Sequence, residues 1–138
     1  MNRRNLFAAS LGIAGMIGVA ATALAFAPPA PAGSVAFDRA AFEQAQAADK
    51  RILVDIWAPW CPTCRAQEPI VNSVAAARGN EDLVVFRVQF DDQKAEVRRF
   101  AAQRQSTLIA FRGSRETGRL VADTNPDRIA ALVATTRR

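Results

Sequence analysis

The chain has 138 residues, with 18 Lys and Arg against 13 Asp and Glu, two cysteines, and neither histidine nor tyrosine. Without histidine the sequence excludes Ser-His-Asp and Cys-His nucleophile pairs and imidazole metal ligands, so proton transfer must use carboxylates, thiols or amines. The length allows one domain with an apolar core that needs no disulfide to hold it together.

Residues 1–32 are typical of an export signal. A basic start containing Arg3 and Arg4 precedes residues 6–27, which carry no charge, and the small-residue stretch 30–32 comes next. The arginine pair resembles a twin-arginine signal, although it is also compatible with a general secretory signal; the weakly hydrophobic, Ala- and Gly-rich stretch favours the first. An uncleaved membrane anchor is the alternative, since the uncharged stretch is long enough to cross a bilayer. Both interpretations place residues 33–138 outside the cytoplasm, in the periplasm.

The charge of the remaining domain predicts no nucleic-acid partner. Without residues 1–32 the net charge falls to +3, and the basic residues are scattered along the chain. This distribution is typical of a solvated, arginine-rich surface. Nothing in the sequence indicates an oligomer, and we expect a monomer.

Hydrophobic periodicity predicts alternating helices and strands. Residues 38–49 have the spacing of a helix, and Asp38 is suited to cap its start. Residues 52–57 are almost continuously apolar, as in a strand covered on both faces. A helix is predicted over 62–78, interrupted by Pro69, and a strand over 83–90.

The C-terminal half completes the pattern. Residues 94–104 predict a helix, residues 107–111 and 119–122 a strand pair joined across 113–118, and Asn125 with Pro126 the start of a last helix. Alternation followed by a closing hairpin predicts an α/β fold, in which a central mixed sheet is flanked by helices on both faces.

Two cysteines lie where the central strand gives way to the next helix. A thiolate at a helix N-terminus faces free backbone N–H groups, which lower the pKa of Cys61 from about 8.5 and make it the expected nucleophile. Cys64, one turn along, is positioned to resolve a mixed disulfide on Cys61. The other interpretations are a structural disulfide, half of a zinc site, or two core cysteines. A loop this short stabilises little by closure entropy, and zinc would need two more Cys or His ligands, which the chain lacks.

The stretch 52–65, which contains Trp57, Trp60, Cys61, Pro62, Thr63 and Cys64, resembles the thioredoxin family. The resemblance covers essentially the whole of residues 33–138 and implies the thioredoxin fold. It also implies a thiol-disulfide oxidoreductase that uses a redox-active Cys61–Cys64 disulfide and no dissociable cofactor.

Asp55 is a carboxylate inside an apolar strand, where burial would raise its pKa and allow it to accept the proton of Cys64. The resemblance implies that role, and the alternative is a partly exposed aspartate on a strand face. Trp60, with Pro62 and Thr63, is expected to form a rim that docks a partner's disulfide, whereas Trp57 is expected in the core.

The sequence departs from the family pattern at Ser106, directly before Thr107, where the resemblance implies a cis-proline. A non-proline cis bond costs about 3 kcal/mol, so we expect a trans bond and a differently shaped loop. Ser106 and Thr107 are predicted to contact substrate, since the family loop pairs its main chain with an extended segment. A more open dithiol is also expected.

Two function classes are compatible with these features. The first is an exported protein-disulfide reductase, supplied with electrons by a membrane thiol donor. The second is a binding or metal-delivery module with the cysteine pair as ligands, against which the absence of histidine counts.

Overall fold

The structure is a computed structural model that describes residues 33–137. The prediction of an export signal or anchor falls on residues 1–32, outside the described part. Within residues 33–137, no helix has the length and apolar character needed to cross a membrane.

Ten elements succeed one another along the described chain. They are β1 (Ser34–Ala36), α1 (Arg39–Ala47), β2 (Arg51–Trp57), α2 (Pro62–Ala76), β3 (Leu83–Gln89), α3 (Lys94–Arg99), β4 (Thr107–Arg112), β5 (Arg115–Val121), α4 (Pro126–Ala134) and a short 3₁₀ turn (Thr135–Arg137).

The five strands form one mixed sheet in the order β1-β3-β2-β4-β5. Strands β1 and β2 run parallel to β3, whereas β4 runs antiparallel to both β2 and β5. Strand β2 is central, as its apolar sequence predicts, and its first six residues are buried. The fold class predicted from the sequence is confirmed.

Side chains alternate between the two faces of the sheet, and each face is covered by two helices. One face of β2, with Ile52, Val54 and Ile56, packs in a core that includes Phe42 of α1 and Val97 of α3. The opposite face, with Leu53, packs in a core with Val71 of α2 and with Ile129, Leu132 and Val133 of α4. Asp55 shares the alternation of Leu53, so it lies beneath α2.

Strands β1 and β5 and helix α2 differ from the prediction. Strand β1 is absent from the sequence prediction, because a three-residue edge strand is too short to show a period. Helix α2 is continuous through Pro69 rather than interrupted there, at the cost of one missing backbone donor. Strand β5 begins at Arg115 rather than 119, because an exposed edge strand does not need alternating apolar residues and a turn at Gly113 suffices.

Helices α1 and α3 end earlier than predicted because each has a Schellman ending without glycine. After α3, Ala101 adopts φ +50°, its N–H donates to the Arg98 carbonyl, and the Ala102 N–H donates to the Val97 carbonyl. After α1, Asp49 has the same role at φ +51°. Since glycine is the usual signal of this motif, no local pattern in the sequence marks either end.

Phe42 is the residue on which the α1 face most depends. It is 2% exposed, and its ring centroid lies 5.3–5.7 Å from those of Phe37, Phe86, Phe100 and Phe111. We expect Phe42→Ala to lower the free energy of unfolding by about 3–5 kcal/mol, measured by urea denaturation, because it leaves a cavity. Val121→Ala, at a site 50% exposed, is the control and should change it by less than about 0.5 kcal/mol. Equal losses in both variants would contradict this.

Candidate active site

Cys61 caps the N-terminus of α2. Its backbone is extended, at φ −86° and ψ 113°, and its Sγ accepts a hydrogen bond from the Cys64 N–H at 3.1 Å. Pro62 occupies the first turn, where its missing donor costs nothing. The sulfur therefore takes the place that a Ser or Asp oxygen usually has at a helix start, and faces the positive end of the helix dipole.

Cys64 lies one turn along α2, and the two sulfurs are not bonded to each other. Both cysteines are 1% exposed. This contradicts the expectation of a more open dithiol: Ala58, Trp57 and Phe90 pack with the pair, and the Ser106 hydroxyl lies within hydrogen-bond distance of both sulfurs.

Ser106 precedes β4 at the place where the family resemblance implies cis-proline. All peptide bonds among residues 33–137 are trans, which agrees with the expectation for Ser106. The residue adopts φ +62° and is fully buried. Its Oγ lies 3.0 Å from the Sγ of Cys61 and 3.2 Å from that of Cys64.

The main chain of Ser106 is already paired within the protein. Its N–H donates to the Ile56 carbonyl and its own carbonyl accepts from the Ala122 N–H, both at 2.8 Å. Thr107 is also buried, and its hydroxyl donates to the Arg104 carbonyl at 2.7 Å. Contact of these two residues with substrate stays a prediction.

The two thiols are electrostatically unequal. Burial acts to raise the pKa of Cys61, but hydrogen bonds from Cys64, Ser106 and Gln105 outweigh it, and its pKa lies below the ordinary thiol value. Burial raises the pKa of Cys64, and the hydrogen bond with Cys61 raises it further. Cys61 is consequently the thiol that ionises first, as its position at the helix start predicts.

Asp55 is buried, at 2% exposure, and one of its carboxylate oxygens has no hydrogen-bond partner within the described part of the chain. Burial raises its pKa to about 6, although Arg87 opposes this through its charge and a 3.3 Å hydrogen bond. Arg87 also pairs with Glu68 of α2 at 2.8 Å, so its charge is shared between two carboxylates. Asp55 is thus able to exchange a proton near neutral pH.

Sequence reasoning misses Arg87, although a signal exists. Asp55 and Arg87 are charged residues in the interior of two apolar strands, and the parallel register of β2 and β3 pairs them. Gln67 is also missed. It is buried on α2, and its amide donates to the carbonyls of Asp123 at 2.7 Å and Ser106 at 3.4 Å.

Trp60 forms an exposed rim beside the cysteine pair, with 53% of its surface accessible. Its indole N–H donates to Asp91 at 2.6 Å, and its ring meets Phe90 edge-on. Trp57 is half-buried, with the Arg87 guanidinium 4.8 Å from its ring centroid. In the first turn of α2, Pro62 is exposed and Thr63 half-buried.

The cysteine pair could offer a metal ion two thiolate ligands. Over residues 33–137, no three Cys, Asp or Glu side chains are grouped closely enough to hold such an ion.

A mixed sheet between two helical layers, with a Cys-x-x-Cys pair at the start of the helix that succeeds the central strand, defines a dithiol redox protein. The family model for thioredoxin matches residues 34–135. The chain is 32% identical over 93 residues to a thioredoxin of Alicyclobacillus acidocaldarius subsp. acidocaldarius, a match that covers 67% of this chain and 88% of the relative.

Solved structures of similar proteins superpose on this chain. Trxlp from Edwardsiella tarda EIB202 superposes with a TM-score of 0.70 at 40% identity, covering 72% of this chain and 98% of that one. The thioredoxin NaTrxh from Nicotiana alata superposes with a TM-score of 0.66 at 23% identity, covering 77% and 96%, and supports the fold alone. The chain belongs to the thioredoxin family, and the Cys61–Cys64 pair makes it a thiol-disulfide oxidoreductase of that family.

The raised pKa of Asp55 predicts how the stability of the fold changes with pH. Its folded pKa, about 6, exceeds the ordinary 3.8, so the folded state binds its proton more tightly than the unfolded state. The contribution of Asp55 to the free energy of unfolding is therefore fully present below about pH 4 and is lost as the pH rises through 6. Wild type should lose about 2–3 kcal/mol more than Asp55→Asn between pH 4 and pH 8, measured by urea denaturation. A difference between the two proteins that does not change with pH would contradict this.

Proposed function

We propose that the protein is an exported thiol-disulfide oxidoreductase that reduces disulfides in other proteins. The observation that carries the proposal is the Cys61 sulfur at the N-cap of α2, where it accepts the Cys64 N–H at 3.1 Å. A capped sulfur with a lowered pKa is the thiolate that nucleophilic attack requires.

Reduction proceeds in two exchanges. The Cys61 thiolate attacks one sulfur of the client disulfide, so a Cys61–client disulfide forms and the other client sulfur leaves as a thiolate. Cys64 then attacks the Cys61 sulfur, forming the Cys61–Cys64 disulfide and expelling the second client thiolate. The client gains two electrons and the cysteine pair loses two.

Asp55 supplies the proton acceptor for the second exchange. Cys64 has a raised pKa and must lose its proton to attack, and a carboxylate with a pKa of about 6 is mostly ionised at neutral pH and ready to accept. Its position beneath α2 supports this role.

Client docking is assigned to the surface around the pair. Trp60 offers a large, rigid apolar face, and the uncharged residues Pro62 and Thr63 of α2 lie next to it in the sequence. Thr107 and Ser106 form the buried side of the site, and contact with a client would require it to approach across Ser106.

The proposed direction of electron flow is reduction of the client. Pro62 and Thr63 bring no charge to stabilise the Cys61 thiolate further, which favours a moderately reducing pair. In the periplasm the protein would then receive electrons from a membrane thiol donor and act as a monomer without a dissociable cofactor. Residues 1–32, with their basic start and uncharged stretch, support export or anchoring at the inner membrane.

Serine substitutions test the roles of the two thiols. With dithiothreitol as reductant, Cys61→Ser should abolish insulin reduction, because no attacking thiolate remains. Pre-reduced Cys64→Ser, mixed with insulin after the dithiothreitol is removed, should accumulate a mixed disulfide, seen on non-reducing gels, because release fails. Ala66→Ser, at an exposed position on the same helix, is the control and should retain activity.

Retained activity in Cys61→Ser would overturn the proposal. The direction is checked by equilibrating wild type with glutathione or dithiothreitol buffers. A reduction potential on the order of −270 mV is expected for a reductase, whereas a value above roughly −150 mV would make the protein a disulfide donor.

The export route has its own test. Replacing Arg3 and Arg4 together with lysine should block appearance of the protein in the periplasmic fraction, because the twin-arginine route reads the arginine pair, while the positive charge is kept. Replacing Arg137 and Arg138 with lysine is the matched control. Unchanged export of the first variant would indicate the general secretory route instead.

A further inference from the structure

Ser106 is held in place by its main chain, which leaves its side chain available for another task. The backbone bonds to Ile56 and Ala122 fix the residue between β2 and the end of β5. Its positive φ of 62° is a conformation that a residue other than glycine adopts at a cost. Burial of a hydroxyl also costs free energy unless it is hydrogen-bonded. Within residues 33–137, the hydrogen-bond partners of Oγ are the two cysteine sulfurs.

The hydroxyl has one proton to donate and lone pairs to accept, so it cannot donate to both sulfurs at once. A thiolate is a stronger acceptor than a thiol, and the sulfur at the helix N-cap is the one that also receives the Cys64 N–H. The Ser106 proton is therefore directed at Cys61, 3.0 Å away, and its oxygen accepts the S–H of Cys64, 3.2 Å away.

We propose that the Ser106 hydroxyl is a catalytic hydrogen-bond donor, which holds the reduced pair as one anion through the chain Cys64 S–H to Ser106 oxygen to Cys61 sulfur. This rests on the proposed function in that Cys61 is the attacking thiolate. Cys61 then receives the Cys64 N–H of α2 and the Ser106 hydroxyl, in addition to the hydrogen bond from Gln105. The hydrogen bond of Ser106 acts to lower the pKa of Cys61, as a donor to its thiolate would, whereas the raised pKa of Cys64 comes from burial and from Cys61 and not from Ser106.

The hydroxyl favours the reduced state of the pair. In the Cys61–Cys64 disulfide neither sulfur carries charge, and each is only a weak acceptor, so the bond to Ser106 loses most of its strength on oxidation. When glutathione disulfide oxidises the pair, the Cys61–Cys64 bond forms and two glutathione thiols are released, one with the proton of Cys64 and the other with a proton from solvent. Ser106 opposes this reaction.

Other ionisable groups near the site are unchanged in a Ser106 variant. These groups include Asp55 on β2, Arg87 on β3, Glu68 and Arg65 on α2, and Asp91 beside Trp60 with its partner Lys94. A shift in the titration of Cys61 on substitution of Ser106 consequently reports the hydroxyl.

The test compares purified wild type with Ser106→Ala and Ser106→Gly. Both remove the hydroxyl, and glycine also relieves the positive φ, so together they separate the hydrogen bond from backbone strain. Thr136→Val is the control for loss of stability. It removes another buried hydroxyl, which accepts a hydrogen bond from Arg51 and donates one to the Val133 carbonyl.

We expect the thiolate absorbance at 240 nm in both Ser106 variants to titrate about one pH unit higher than in wild type. At a pH above both titration midpoints, the equilibrium with glutathione should shift about tenfold toward the disulfide, equivalent to a potential about 30 mV more negative. Initial reduction of glutathione disulfide should become about threefold slower well below the pKa of Cys61 and about threefold faster above it, because a more basic thiolate is rarer but more nucleophilic. If Ser106 only filled space, its removal would not slow the reaction below the pKa of Cys61 and speed it above that pKa.

Titration and glutathione equilibrium equal to wild type in both variants would overturn the proposal, as would the same shifts in Thr136→Val. If the variants do not fold, wild type decides, since a Cys61 thiol that titrates at or above about 8.5 excludes a stabilised thiolate. These measurements need no protein client. Failure of insulin reduction with the Ser106 shifts intact would reject the proposed function and leave this inference standing.

Discussion

The structure depends on the pairing of β2 along both of its edges. Its residues hydrogen-bond to β3 on one side and β4 on the other, which buries the strand and fixes the position of the chain beyond its carboxyl end. The ladder continues past the strand on both sides, because the Trp57 carbonyl accepts the Phe90 N–H and the Ile56 carbonyl accepts the Ser106 N–H, each at 2.8 Å. The start of α2 and the loop before β4 are thereby brought to one edge of the sheet. The Sγ atoms of Cys61 and Cys64 and the Oγ of Ser106 meet there.

The same burial makes the site electrostatically costly. Asp55 has one unpaired oxygen and a charge only partly balanced by Arg87, so the fold is less stable when the carboxylate is ionised. A core of Ile, Val and Leu would have been the more stable solution at this position. The arrangement accordingly has the features of a group retained for chemistry, and the Arg87–Glu68 pair limits how strongly Arg87 can hold Asp55 in the charged form.

How far the sequence predicts this structure depends on how local each signal is. The buried run of β2 and the cysteines at a helix start are local patterns, and the structure confirms the fold that they imply. The endings of α1 and α3 at Asp49 and Ala101 carry no glycine, so the left-handed backbone that closes their last hydrogen bonds has no signal in the sequence. The prediction of an open dithiol is wrong for a related reason. Loss of the proline ring suggests an open loop, but a serine side chain small enough to turn inward seals the pair instead.

Under the proposed function and the proposed role of Ser106, Asp55 and Ser106 act on the same proton, that of Cys64. Ser106 contacts both sulfurs and stabilises the singly charged dithiol, which favours the first exchange, in which Cys61 must be a thiolate while Cys64 keeps its proton. In the mixed disulfide Cys61 is no longer charged, so the hydrogen bond from Ser106 weakens and Cys64 loses part of the interaction that held its proton. That is the moment at which a buried carboxylate with a pKa of about 6, mostly ionised at neutral pH, is available to accept the proton of Cys64. Before the attack, Ser106 helps to hold the proton on Cys64. After Cys61 loses its charge in the mixed disulfide, that proton passes to Asp55. The charge on the Cys61 sulfur therefore sets the order of the two exchanges.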